Sequence, residues 1–139
     1  MRYVALDIGE RRVGIATGDT RVGIAFPQRA LDFGSRGVDP EVLAEVVQTH
    51  EADVLLVGLP LNADGGETPQ CEPIRRIAER LAQLTRLEVV FRNEALTTAK
   101  AEGMMIEAGA SRKRRASSGD SVAAVVLLQE LLDELGCAK

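Results

Sequence analysis

Hydrophobic positions alternate with polar or small ones from Arg2 to Ile8, with Val4, Leu6 and Ile8 on one face, which predicts a buried strand. Gly9-Glu10-Arg11-Arg12 reads as a turn, and Val13 to Gly18 as a second strand built partly from small residues. The short gap between the two predicts an antiparallel hairpin. A third strand is expected over roughly Gly23 to Leu31, after the turn at Asp19-Thr20-Arg21, followed by loop from Phe33 to Gly37. Asp39-Pro40-Glu41 then opens a helix, because Asp is a good N-cap and Pro suits the first helical position. Val42, Leu43, Val46 and Val47 form its expected apolar stripe. Asp53 to Gly58 reads as a strand, continuously apolar from Val54 to Val57, the pattern of a parallel strand covered on both faces.

Beyond it, Leu59 to Glu67 is expected to be loop, with Pro60, Asn62, Asp64 and a Gly65-Gly66 pair. A helix is expected from Thr68 to Leu84 with Ile74, Ile77, Ala78 and Leu81 inward, then a strand from Leu87 to Phe91. A further helix is expected after Leu96, with Thr97 as cap, ending near Gly109. Ala110 to Gly119 reads as a basic, serine-containing loop, and Asp120 to Leu135 as the last helix, apolar through Val122, Val125, Val126, Leu128 and Leu132. Three meandering strands followed by βα units predict an α/β fold. Its core is a five-stranded mixed sheet, three antiparallel strands plus parallel ones, with helices on both faces. The 139 residues suit one domain, 1–139. In such a sheet the carboxyl ends of the parallel strands hold the site.

Composition narrows the chemistry. A net charge of −4 and a pI near 5.1 argue against coating nucleic acid by bulk charge. With one histidine, His50, and two scattered cysteines, Cys71 and Cys137, a structural zinc site is not expected. The cysteines read as reduced thiols, and His50 as a surface residue closing a polar helix end. No apolar run approaches the roughly 20 residues of a membrane span. The first residues reach Asp7 too soon for a signal peptide, so the cytoplasm is the expected location.

Three carboxylates stand out. Asp7 interrupts an apolar strand just before its turn, where burial is costly unless the group is paired or bound to metal. Glu94 follows the strand ending at Phe91, and Asp120 opens the last predicted helix. Each also has a structural reading: a turn former beside Gly9, a solvated turn residue, and a helix cap. Their convergence on one sheet edge is what points to chemistry. Clustered carboxylates need cations, since like charges raise one another's pKa. Mg²⁺ and Mn²⁺ prefer such oxygen ligands. Two such ions ~4 Å apart activate water and stabilise the leaving oxygen in phosphodiester cleavage, with Asp7 the natural bridging ligand. Arg112-Lys113-Arg114-Arg115 is a concentrated basic run in an acidic chain, expected to clamp a phosphate backbone, with Arg11 and Arg12 adding to it. Asp7-x-Gly9 with Gly14 is also similar to the first phosphate loop of actin-like ATPases. Those proteins use two related domains, so ATP binding is the weaker reading.

Taken together, Leu6-Asp7-Ile8-Gly9-x-x-Arg12-Val13-Gly14-x-Ala16, Val57-Gly58-Leu59-Pro60-Leu61-Asn62-x-Asp64-Gly65, Pro69-Gln70, Asn93-Glu94-x-Leu96-Thr97-Thr98 and Asp120-x-x-Ala123-Ala124 resemble the YqgF/RuvX family of Holliday junction resolvases. The resemblance covers nearly the whole chain. It implies an RNase H-like fold, similarity to the bacterial junction resolvase RuvC, and Asp7, Glu94 and Asp120 as metal-binding acids. It implies two substrates, with four-way DNA junctions in recombination and repair as the leading reading and the 5′ end of precursor 16S ribosomal RNA in ribosome biogenesis as the alternative. A non-catalytic nucleic-acid-binding module is the third reading. Cutting a two-fold symmetric junction calls for a homodimer. An aromatic content of 3% mildly favours recognition of duplex or junction shape over stacked single strands. The chain departs from the family where Asn93 and Ala95 replace the usual Asp and Arg around Glu94, and where Ala116-Ser117-Ser118 separates the basic run from Asp120.

Overall fold

The computed structural model describes residues 1–62, 64–93 and 112–137, with the side chains of the last stretch from 121 to 136. Among these, the strands are β1 (Arg2–Ile8), β2 (Arg12–Asp19), β3 (Ala25–Asp32), β4 (Val54–Leu59) and β5 (Glu88–Asn93). The helices are α1 (Pro40–Thr49), α2 (Cys71–Thr85) and α3 (Arg112–Cys137), with one 3-10 turn at Gly34–Arg36. The sheet order is β3-β2-β1-β4-β5. The first three strands pair antiparallel, while β1, β4 and β5 run parallel. The expected mixed sheet is therefore present, with β1 at its centre. The helix expected between Leu96 and Gly109 lies outside the described residues.

Strand alternation divides the core into two layers. Val4, Leu6 and Ile8 of β1 join Leu55 and Val57 of β4 under α1 and α2, which contribute Leu43, Val47, Ile74 and Leu81. The opposite face offers Ala5, Ala16 and Leu56 to Ala124, Leu127, Leu128 and Leu132 of α3. Small residues on that face let the helix sit close. A Cβ at Gly18 would lie 3.0 Å from Leu132 Cδ1 and 3.2 Å from Leu128 Cδ2. Polar contacts fix the position of α3. Ser121 Oγ donates to the Gln28 carbonyl at 2.7 Å, and Gln129 accepts from Ala25 N and donates to the Gly23 carbonyl, each at 2.9 Å.

Three expectations change. The basic segment from Arg112 onward is helical, so α3 begins eight residues before Asp120 rather than at it. Arg, Lys and Ala are strong helix formers, and extending a helix already anchored on the sheet adds a hydrogen bond per residue without a new nucleus. The Ser117-Ser118-Gly119 stretch, which reads as a breaker, is carried along. On α1, Leu43, Ala44 and Val47 are buried, whereas Val42 is exposed, so the inward stripe is displaced by one position. The second helix starts at Cys71 rather than Thr68, because the Thr68 hydroxyl donates to the Pro60 carbonyl at 2.8 Å and holds the loop instead. Cys71 is a buried free thiol. No described helix is long and apolar enough to cross a membrane.

The start of α1 follows its sequence signal. Asp39 Oδ1 accepts from Glu41 N at 2.9 Å, with Pro40 in the first turn. Replacing it, Asp39→Ala, is expected to cost about 1 kcal/mol of stability, read as a lower urea midpoint at unchanged slope. At the sheet's outer edge, β3 carries Pro27 opposite Ala16, and the β2–β3 ladder shifts register between Val13 and Ile15.

Candidate functional site

Parallel pairing brings three strand ends to one edge. Leu6, Val57 and Phe91 lie in one row across β1, β4 and β5. Asp7 is the next residue along β1, and Asn93, opposite Leu59, ends β5 two residues past Phe91. Asp7 is half-buried on the sheet face that carries Ala5, the face packed by α3. Its partner on β2 is Gly14, which adds no side chain beside the carboxylate. The turn after it is closed by Gly9 N donating to the Arg12 carbonyl at 2.8 Å. A Cβ at Gly9 would stand 3.1 Å from that same oxygen, so the turn is built for glycine.

Two clefts meet at Asp7, and among the described residues Asp7, Gly9 and Glu10 line both. One, about 390 Å³, runs over the hairpin turn past Arg11 and Arg12. The other, about 430 Å³, opens between that turn and the start of α2, where Pro60, Gln70, Pro73, Ile74 and Ile77 form its wall. Arg11 and Arg12 are exposed, and Arg12 reaches Asp32 at 3.4 Å. That contact is an exposed ion pair of small energetic worth, which a stronger anion displaces at little cost.

The other expected site residues are placed less completely. Glu94 lies outside the described residues, although β5 delivers the chain to this edge at Asn93. Asp120 sits on the backbone of α3, about two turns from its start. The next residue, Ser121, bonds to Gln28, which pairs with Ile15, which pairs with Leu6. The helix therefore crosses the row of the sheet that ends beside Asp7. Arg112, Lys113, Arg114 and Arg115 occupy the first turn of α3. Among the described residues no group of three His, Cys, Asp or Glu side chains is close enough to hold a metal ion. Glu94 and the side chain of Asp120 lie outside those residues.

Two residues at the clefts escape a reading of the sequence. Glu10 looks like an ordinary turn residue, and Gln70 like an ordinary loop residue. Only the fold brings Gln70 opposite Asp7 across a cleft. A third, Arg92, ties β5 to α3 by donating to both carboxylate oxygens of Glu134 at 2.8 and 2.6 Å. This hydrogen bonding holds the Glu134 carboxyl below its ordinary range and raises the Arg92 guanidinium. The pair clamps the strand that leads to Glu94 against the helix that carries Asp120.

The model of a family described as "RuvX: Holliday junction resolvase" matches residues 1–134. A Ruegeria pomeroyi protein named "Putative pre-16S rRNA nuclease" is 38% identical over 94% of this chain and 84% of its own length. A Bacillus thuringiensis protein of the same name is 38% identical over 96% of this chain and 98% of its own. Among solved structures, Thermus thermophilus RuvC in complex with Holliday junction substrate aligns with a TM-score of 0.60 at 12% identity, covering 98% of this chain and 96% of that one. The fowlpox virus Holliday junction resolvase aligns with a TM-score of 0.63 at 14% identity, covering 97% and 99%. At such identities the structures speak for a shared RNase H-like architecture, and the sequence relatives for ancestry. The chain belongs to the RuvX Holliday junction resolvase family.

Proposed function

We propose that this chain is a divalent-metal-dependent endonuclease that hydrolyses phosphodiester bonds in structured nucleic acid, through a site of Asp7, Glu94 and Asp120 in a single RNase H-like domain. The observation that carries this reading is Asp7, a half-buried carboxylate at the carboxyl end of the central strand, opening into two clefts. Bound Mg²⁺ or Mn²⁺, one ion or a pair, supplies a nucleophile from water and neutralises charge on the leaving oxygen. Asp7, set on rigid sheet, fixes where that chemistry occurs. Arg11 and Arg12 flank it and orient the phosphate backbone.

The basic run supports the same reading. Cations in the first turn of a helix oppose its macrodipole, so the charges of Arg112 to Arg115 work against the helix propensity of those same residues at that end. A bound phosphate backbone offsets this repulsion. Neutralising Arg112, Lys113, Arg114 and Arg115 together is expected to weaken binding and flatten its dependence on salt, by about one slope unit per lost phosphate contact. An unchanged slope rules the clamp out.

For the substrate, relatives at 38% identity over nearly the whole chain outweigh structures at 12%, which favours the 5′ region of precursor 16S ribosomal RNA. The family description favours four-way DNA junctions as the second reading, in which two copies act as a symmetric pair. Either substrate places the protein's work in the cytoplasm. A side-by-side assay with Mn²⁺ and with Mg²⁺ decides. Trimming of precursor RNA with junctions left whole is the expected result. Paired, symmetric nicks in junction DNA with RNA untouched reverse the order, and no cutting of either leaves a binding module.

A further inference from the structure

The cleft between the β1–β2 turn and the start of α2 touches the proposed metal site at Asp7, but its wall of Pro60, Gln70, Pro73, Ile74 and Ile77 has no role in that reading. We propose that it is a nucleobase subsite, accepting one unpaired base next to the phosphodiester held at Asp7. The proposal rests on the nuclease reading for its neighbour and on the cleft's own chemistry for its occupant.

The wall is apolar. Pro60, Pro73 and Ile77 reach its surface from the loop after β4 and from α2, and Ile8 and Ile74 are buried behind it. Pro73 is exposed and Ile77 half-buried, so the helix leaves apolar surface at the mouth of a polar site. The rim is polar. Gln70 offers an amide that both donates and accepts, and Glu10 offers an acceptor. Apolar walls with a few convergent polar groups suit a flat heterocycle whose edge is read by hydrogen bonds. Among the described lining residues there is no cation, so the cleft does not suit a second phosphate. Its volume, about 430 Å³, falls within the ~300–1,000 Å³ of small-ligand pockets.

The cleft is also preformed. The Pro60 carbonyl accepts from Thr68 Oγ1 at 2.8 Å and from Cys71 Sγ at 3.7 Å, which pins the loop to the first turn of α2. Asn62 N donates to the Gly66 carbonyl at 2.8 Å, and Gly65 N returns to the Asn62 carbonyl at 2.9 Å, closing the loop on itself. Continuity sets the occupant's place. Asp7, Gly9 and Glu10 are shared with the cleft that passes Arg11 and Arg12, so a strand following the arginines brings its next base to this mouth. Glycine at position 9 keeps the passage open.

Methyl-detected NMR of the full chain tests this with adenosine, guanosine, cytidine and uridine 5′-monophosphates as probes, and ribose 5-phosphate as the baseless control. Saturating nucleotide is expected to shift the Ile74 and Ile77 methyl signals upfield by ring current and to move the Gln70 side-chain amide. Ribose 5-phosphate is expected to leave the methyls in place. Ile77→Glu should abolish the Ile74 shift, and Gln70→Ala, at an exposed position, should weaken binding and narrow the differences among the four bases. Equal methyl shifts with ribose 5-phosphate, no shift with any nucleotide, or full shifts in folded Ile77→Glu overturn the subsite. The parent reading fails separately. If Asp7→Asn cuts normally while the nucleotide shifts persist, the nuclease site is wrong and the base subsite stands.

Discussion

Asp7→Asn abolishes cleavage while the protein stays folded and still binds nucleic acid: the expected fall in kcat is at least about a thousandfold, roughly 4 kcal/mol of barrier. The substitution is nearly isosteric, keeps one carbonyl oxygen as acceptor and removes the negative charge. The loss therefore reports on charge rather than on packing. Asp7 sits on the central strand with Gly14 opposite and lines both clefts, and the amide takes up the same volume as the carboxylate. Single-turnover cleavage, with binding measured in parallel and urea unfolding as the fold control, separates the terms. Cleavage within a fewfold of the parent removes Asp7 from the reaction, and with it the metal site. Loss of binding together with cleavage assigns the residue to substrate grip instead.

Leu128→Ala is expected to destabilise the protein by about 2–5 kcal/mol, because the side chain is fully buried and a cavity remains where it stood. Its neighbours cannot collapse into that space. The sheet beneath includes Ala5, Ala16 and Gly18, which have no rotamers to move inward. The cost falls on the attachment of α3, the helix that carries Asp120 and the basic run. Activity should therefore disappear at a lower temperature than in the parent, in step with the unfolding curve. Leu135→Ala, at a position 39% exposed on the same helix, is the control and should stay within about 0.5 kcal/mol. A Leu128→Ala loss no larger than the control's would mean that α3 is not held by this contact.

Much of the architecture is legible in the chain. Alternation gives β1 and β2 their faces, the unbroken apolar run gives β4 its burial on both sides, and Asp39-Pro40 marks the first turn of α1. The misreadings share a cause, since local signals yield to tertiary anchoring. Ser117-Ser118-Gly119 is weak helix material, yet α3 runs through it because Ala124, Leu127 and Leu128 are already seated on the sheet. Val42 is as apolar as Val47, and only the direction in which α1 packs decides that it faces out. At the site, Asp7 stands out because a carboxylate in an apolar strand is costly. Gln70 and Glu10 do not, because a polar residue in a loop costs nothing. The hairpin itself brings Glu10 to Asp7, whereas Gln70 meets it only once α2 folds back beside that hairpin.

The outer strand has one more implication. Pro27 offers no amide hydrogen, and the irregular register beside it twists the ribbon, so β3 is a poor template for a further strand. Joining two sheets end to end into one continuous ribbon across that border is therefore disfavoured. If a pair forms on a branched substrate, β3 is not where its two sheets join, and the spacing of its two cuts is set by a different contact.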